Sequence, residues 1–202
     1  MPELFSYKIT SDTGFAPNPF FGILSLATCK PWIRELRKPG SYIAGFTSKA
    51  LCNDKVGEER LVFIMKVTAK LTYNSYFIDE KFQIKKPSHK SRITLCGDNI
   101  YYELNSEYHQ ALSYFHKKNE DIIHDLISDK VLLSSEFFYF GSGAIPIDRF
   151  KVKIPRTQTP YGVKTSNTYE LEKLWHYLKA NFKNNCLLAP PHNWVKDEPY
   201  NM

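Results

Sequence analysis

Apolar and polar side chains alternate over residues 4–9, LFSYKI, and predict a first strand. SYIAGF at 41–46 predicts a second. RLVFIMKVTAKLTY at 60–73 is the strongest extended signal in the chain. In it Leu61, Phe63, Met65 and Val67 share one face, and Val62, Ile64, Lys66 and Thr68 the other. With both faces partly apolar, this reads as one central strand. Further short strands are expected in CGDNIYYEL and in VLLSSEFFYF. NSYFIDEKF reads as a helical turn or loop, KKPSHKSR as an exposed basic connection, and EYHQALSYFHKKNEDIIHDL as loop with one helical segment.

Helical periodicity is clearest in TYELEKLWHYLKANF, where Leu171, Leu174, Trp175 and Leu178 form a stripe behind a cap at Asn167 or Thr168. Pro31 opens a shorter helix that Pro39-Gly40 ends. Six or seven short strands and two or three helices predict an α+β fold: a small, strongly curved, barrel-like sheet with flanking helices. Residues 1–202 read as a single domain, with a core over 4–150 and a C-terminal helix and tail over 151–202 packed on it. GFAPNPFFG, with two prolines and several phenylalanines, is a stiff loop that either plugs the core or shapes itself around a ligand.

Composition narrows the classes. The chain has 202 residues, with 27 Lys+Arg against 21 Asp+Glu for a net charge of +6. That balance permits a nucleic-acid or nucleotide partner, and the 15% aromatic content suits sheet packing first and base stacking second. No run of about 20 apolar residues predicts a membrane span, and MPELFSYKITSD lacks the pattern of a secretory signal. Four scattered cysteines without a CxxC pair favour reduced thiols and a cytoplasmic setting. Neither a metal site nor a cofactor motif is visible: GxxxxGK[ST], HExxH and GxSxG are all missing.

In CGDNIYY, Gly97 permits a turn that presents Asp98 and Asn99 where a strand begins, with Tyr101 or Tyr102 as a stacking surface. The alternative is an Asx turn bonding its own backbone. Ser48 and Lys49, at the end of a strand, and Lys30, before the first helix, are candidates for phosphate contact. Phe15, Asn18 and Phe20 of the stiff loop complete the candidate nucleobase or nucleotide site. Catalytic candidates are Asp98 or His116 as acid or base, with Asp125 and Cys96; Cys29 is a weaker nucleophile candidate, and buried small side chains are the simpler account of both thiols. Ser113, His116 and Asp125 have the right types for nucleophile, base and orienter.

The succession FAPNPFFGILSLATCKP, GSYIAGFTSK, RLVFIMKVT, CGDNIYY and VLLSSEFFYFG resembles a small prokaryotic and phage family, the nucleotide-modification-associated domains of the second type. The resemblance spans roughly residues 4–147. SYFH followed by HDLISDKVL is similar to the family's stretch bearing Ser, His and Asp, and adds weight to Ser113, His116 and Asp125. GFTSK departs from the pattern at Phe46, whose ring would narrow a pocket. A looser likeness to PUA-like barrels is one of architecture alone. The resemblance implies a setting of DNA-base or nucleotide modification; with the basic balance, the aromatic content and the Asp98-Asn99 turn, the expectation is recognition of a modified or flipped base in DNA modification or phage defence, with DNA favoured and partner proteins of a modification system. The alternatives are an enzyme acting on a nucleotide or base, and a protein-interaction subunit.

Overall fold

The computed structural model describes residues 2–194. The long apolar run at 60–73 does not form one strand. It yields β4 (Leu61–Lys66) and β5 (Ala69–Thr72), which belong to different sheets. The switch falls between two adjacent residues. Val67 still bonds toward the first sheet through Ser41 and Gly40, whereas Thr68 N–H and hydroxyl both donate to Leu133 O of the second.

The first sheet takes in β1 (Leu4–Lys8), β3 (Tyr42–Phe46), β9 (Glu136–Tyr139) and β10 (Val163–Thr165), in the order β10-β1-β3-β4-β9. The second orders β2 (Leu24–Leu26), β8 (Lys130–Ser134) and β5 as β2-β8-β5. β8 and β9 also turn the corner between sheets, separated by Ser135 alone, where Ser134 Oγ donates to Lys66 O or Glu136 O, 2.7 Å from each. A two-stranded ribbon pairs β6 (Tyr101–Leu104) with β7 (Glu107–Gln110). The fold is therefore α+β, with bent strands shared between sheets; among the described residues no closed barrel forms.

Among the described residues six α-helices decorate these sheets: α1 (Pro31–Leu36), α2 (Lys49–Cys52), α3 (Tyr73–Ile78), α4 (Arg92–Leu95), α5 (Asn119–Asp125) and α6 (Thr168–Asn181). α6 forms as its apolar stripe predicts, and the Asn167 side chain caps it by accepting from Glu170 N. Leu171, Leu174, Trp175 and Leu178 bury against Leu4, Ala44, Phe46, Ile64 and Phe138. At roughly 1.5–3 kcal/mol per large side chain, those four contribute on the order of 6–12 kcal/mol of gross burial. A bulge in β4 opposite Gly45 and Phe46 changes the phase of the strand, so Leu61 joins Ile64 under α6 while Val62, Phe63 and Met65 face the second core. Phe46 sits in the α6 core and narrows no pocket. A third cluster, with Phe15, Tyr73, Tyr76, Phe82, Tyr101 and Val131, lies beneath the site described next.

Two positive charges are interior, and one of them, Lys85, opens the KKPSHKSR stretch expected to be exposed. Arg34 has no exposed area and Lys85 only 1%, because each sits among backbone carbonyls that satisfy its donors.

Candidate active site

β2 leads through residues 27–30 into α1, and the turn between them is strained. Cys29 and Lys30 lie in the left-handed region, at φ 54° and 43°. Such a conformation costs a non-glycine residue about 1–3 kcal/mol and persists where surroundings impose it. Here the surroundings are explicit. Cys29 N–H donates to Asp125 Oδ1 at 2.6 Å, and Arg34 Nε donates to Cys29 O at 2.8 Å. Arg34 also donates to Ser128 O, Lys130 O and Asp125 O, tying the turn to the approach to β8. A side chain on a strained strand-to-helix turn is held away from its own backbone, which is how hydrolase nucleophiles are displayed.

What faces that thiol comes from elsewhere in the chain. His116 Nε2 is 3.7 Å from Cys29 Sγ, and His116 Nδ1 is 3.0 Å from Asp125 Oδ2, off the ideal hydrogen-bond axis. Tyr101 OH donates to the same Oδ2 at 2.9 Å. Ser113 Oγ accepts from the backbone of Phe115 and His116, and Gln110 Nε2 donates to His116 O at 2.6 Å, so the loop carrying the imidazole is held on both sides. Phe15 meets the ring edge-on with centroids 4.8 Å apart. Burial works against the charged imidazole, but the contacts with Asp125 and Cys29 outweigh it and raise His116 to about 10. The ring therefore stays protonated at neutral pH, and an imidazolium beside a thiol is the environment in which cysteines become nucleophilic.

Asp125 is the hub. Wholly buried, it orders the Cys29 turn with one oxygen and the imidazole with the other, and Arg34 Nη2 lies 3.7 Å from Oδ1 as its counter-charge. Two hollows flank the group. One, of about 470 Å³, is lined by Cys29, Lys30, Trp32 and His124. The other, of about 630 Å³, is lined by His116, Gln110, Leu112, Tyr114 and Lys117. Among the described residues no group of three or more His, Cys, Asp or Glu is arranged to hold a metal ion.

The remaining sequence-designated residues fall into separate places. Asn18 and Asp98 do come together, but beside the buried Lys85 ammonium and not around an opening, and the Asn99 side chain turns to other backbone carbonyls. Lys85 Nζ contacts Asn18 Oδ1 at 2.8 Å and Ser25 Oγ at 2.9 Å, while Asp98 accepts from Ser25 Oγ at 2.6 Å and Tyr76 OH at 2.9 Å. Asn99 Nδ2 donates to Tyr76 O and Phe82 O. Burial raises Asp98 and lowers Lys85 to about 8. Gly97 serves a close approach here, since a Cβ would stand 2.4 Å from Pro87 N. Cys96 donates to Thr13 O, and burial pushes its thiol up to about 12. Ser48 caps α2 and donates to Ile9 O, with Lys49 exposed beside it. Phe20 packs on Trp194. Of the designated set, His116 faces the thiol, Asp125 holds the Cys29 backbone, Phe15 and Tyr101 touch His116 and Asp125, Lys30 shares the turn, and Ser113 supports His116 through the backbone. Cys29 was the member with the least local signal: only CKP before a helix.

The fold and this cluster define an α+β protein in which a thiol on an imposed turn faces an imidazole, itself beside a buried carboxylate. The family model for nucleotide modification associated domain 2 matches residues 1–198, and the chain belongs to that family. Neither the curated proteins nor the solved structures returned a match. No helix among the described residues is long and apolar enough to cross a membrane.

Proposed function

We propose that this protein is a cysteine-dependent enzyme that transfers or hydrolyses an acyl group on a nucleotide or nucleobase in a nucleotide-modification system. The observation that carries this reading is the line from Cys29 Sγ through His116 to Asp125, with the thiol displayed on a turn held in the left-handed region. Cys29 Sγ attacks the acyl carbon and an S–C bond forms. The C–N or C–O bond to the leaving group breaks, and His116 delivers the proton that the thiol gave up. A water or a second acceptor then cleaves the thioester, its proton passing by way of His116 back to sulfur or onto the product.

The nucleotide half of the proposal rests on the family, and the net charge of +6 is compatible with an anionic substrate such as DNA or its nucleotides. Base recognition, the expectation from composition, becomes substrate binding in this scheme. The bent sheets are compatible with the PUA-like likeness as architecture and carry no ligand argument. A cytoplasmic setting and partner proteins of a modification system belong to the same proposal.

Iodoacetamide labelling followed by mass spectrometry tests it. Cys29 should react at least 10-fold faster than Cys186 at pH 7, and His116→Ala should abolish the difference. Equal rates at the two cysteines, unchanged by His116→Ala, would overturn the proposal.

A further inference from the structure

The larger hollow beside His116 contains a detail that the catalytic reading does not use. Gln110 gives its amide N–H to His116 O at 2.6 Å, which fixes the orientation of the amide. Its Oε1 is thereby left buried with no hydrogen-bond partner. An unmet buried acceptor costs about 1–3 kcal/mol, a cost that a ligand N–H would remove. Gln110 lines the hollow together with Pro87, Leu95 and Ile122, and with Leu112 and Tyr114, which are 94% and 44% exposed. Lys117 Nζ lies 4.7 Å above the Tyr114 ring and adds a cation to the same rim. The volume of about 630 Å³ lies within the usual span of small-molecule sites.

A planar heterocycle that donates N–H, packs between apolar walls and carries an anion fits each of these features. We infer that this hollow is a nucleobase pocket for a nucleoside monophosphate unit, with Gln110 Oε1 accepting from a ring or exocyclic N–H and Lys117 facing the phosphate. This rests on the proposed function and adds its substrate site. His116 lines the pocket, so a substituent on the bound base meets the imidazole, while Cys29 lines the neighbouring hollow. The same unit can come from a free nucleotide or from a base turned out of DNA.

The test titrates the four deoxynucleoside 5′-monophosphates, deoxyribose 5-phosphate and a ten-nucleotide single strand into the full chain by calorimetry. At least one mononucleotide should bind 10-fold or more tightly than deoxyribose 5-phosphate. Gln110→Leu and Leu112→Trp should each weaken it at least 10-fold, the latter changing a side chain too exposed to matter for folding. A strand that binds more tightly than any mononucleotide, with salt-sensitive affinity, assigns the pocket to DNA; equal affinities assign it to free nucleotides. Absence of binding by all four mononucleotides and the strand, or wild-type affinity in both variants, overturns the pocket. Alkylation of unliganded Cys29 is read in parallel and judges the catalytic reading separately: fast, His116-dependent labelling with no nucleotide binding removes the pocket alone.

Discussion

Asp125→Asn separates charge from shape at the centre of the site. The amide oxygen can still accept from Cys29 N–H, and the Tyr101 hydroxyl can turn to meet the new N–H₂ group. What disappears is the negative charge between Arg34 and His116. Removing one partner of a buried pair costs about 3–5 kcal/mol. Arg34 keeps its bonds to the carbonyls of Cys29, Asp125, Ser128 and Lys130, which places the expected loss near the low end, about 3 kcal/mol. For a chain of this size that corresponds to a Tm lower by roughly 6–12 °C.

The same change alters reactivity by a separable amount. His116, raised to about 10 in the native site, should fall back toward its ordinary value near 6.5. At pH 8 the protonated fraction then drops from nearly complete to a few per cent, so alkylation of Cys29 should slow by about 10- to 30-fold. Urea denaturation and iodoacetamide kinetics from pH 6 to 9 measure the two effects on one preparation. A variant with stability within about 1 kcal/mol of wild type and an unchanged pH profile of labelling would refute the assigned role of the carboxylate.

Other outcomes follow from neighbouring groups. Cys29→Ser should remove fast alkylation, whereas Cys96→Ala should leave it intact, since burial holds the Cys96 thiol up near 12; peptide mapping after labelling distinguishes them. Lys85→Met should destabilise by about 3–5 kcal/mol in urea, because it removes the cation near Asp98 and strands four acceptors, yet should leave the Cys29 alkylation rate unchanged. On pH, the folded protein binds the His116 proton more tightly than the unfolded chain, so that contribution to stability is complete below about 6.5 and is lost as pH climbs through 10. Lys85 acts in the opposite sense, adding stability as pH rises from about 8 toward 10.5. Replacing His116 with Gln should therefore reduce the fall in urea stability between pH 7 and 10, and an identical slope would contradict the assignment.

How much of this the residues announce depends on the range of the interactions. α6 is legible because its stripe and its cap at Asn167 are local. The break between β4 and β5 is not, because Val67 and Thr68 carry the same pattern as their neighbours and diverge only through partners at Ser41 and Leu133. His116 and Asp125 stand close in the chain and their types suggest chemistry. Their third member lies 87 residues before His116, at a cysteine whose left-handed backbone has no signature in a non-glycine residue. Tyr101 attracts attention as a flat ring, yet its hydroxyl makes the contact at the site. Asp98 and Asn99 stand out for the same reason that they fold inward: short polar side chains at a strand start can satisfy buried partners as readily as a ligand.

The Lys85 network and the thiol site are nonetheless joined mechanically. Lys85 and Asp98 hold Ser25, and Ser25 exchanges backbone hydrogen bonds with Asn18 at 2.8 and 2.9 Å. Ser25 is the middle residue of β2, and the Cys29 turn starts one residue beyond that strand. Held from one end by this interior hydrogen-bond network and from the other by Arg34, residues 27–30 have little room to relax into an ordinary turn. The left-handed pair at Cys29 and Lys30 is thus imposed from both sides, and Asp125 couples it to His116. The two polar clusters divide the labour: one fixes where the thiol stands, and the other sets the charge it faces.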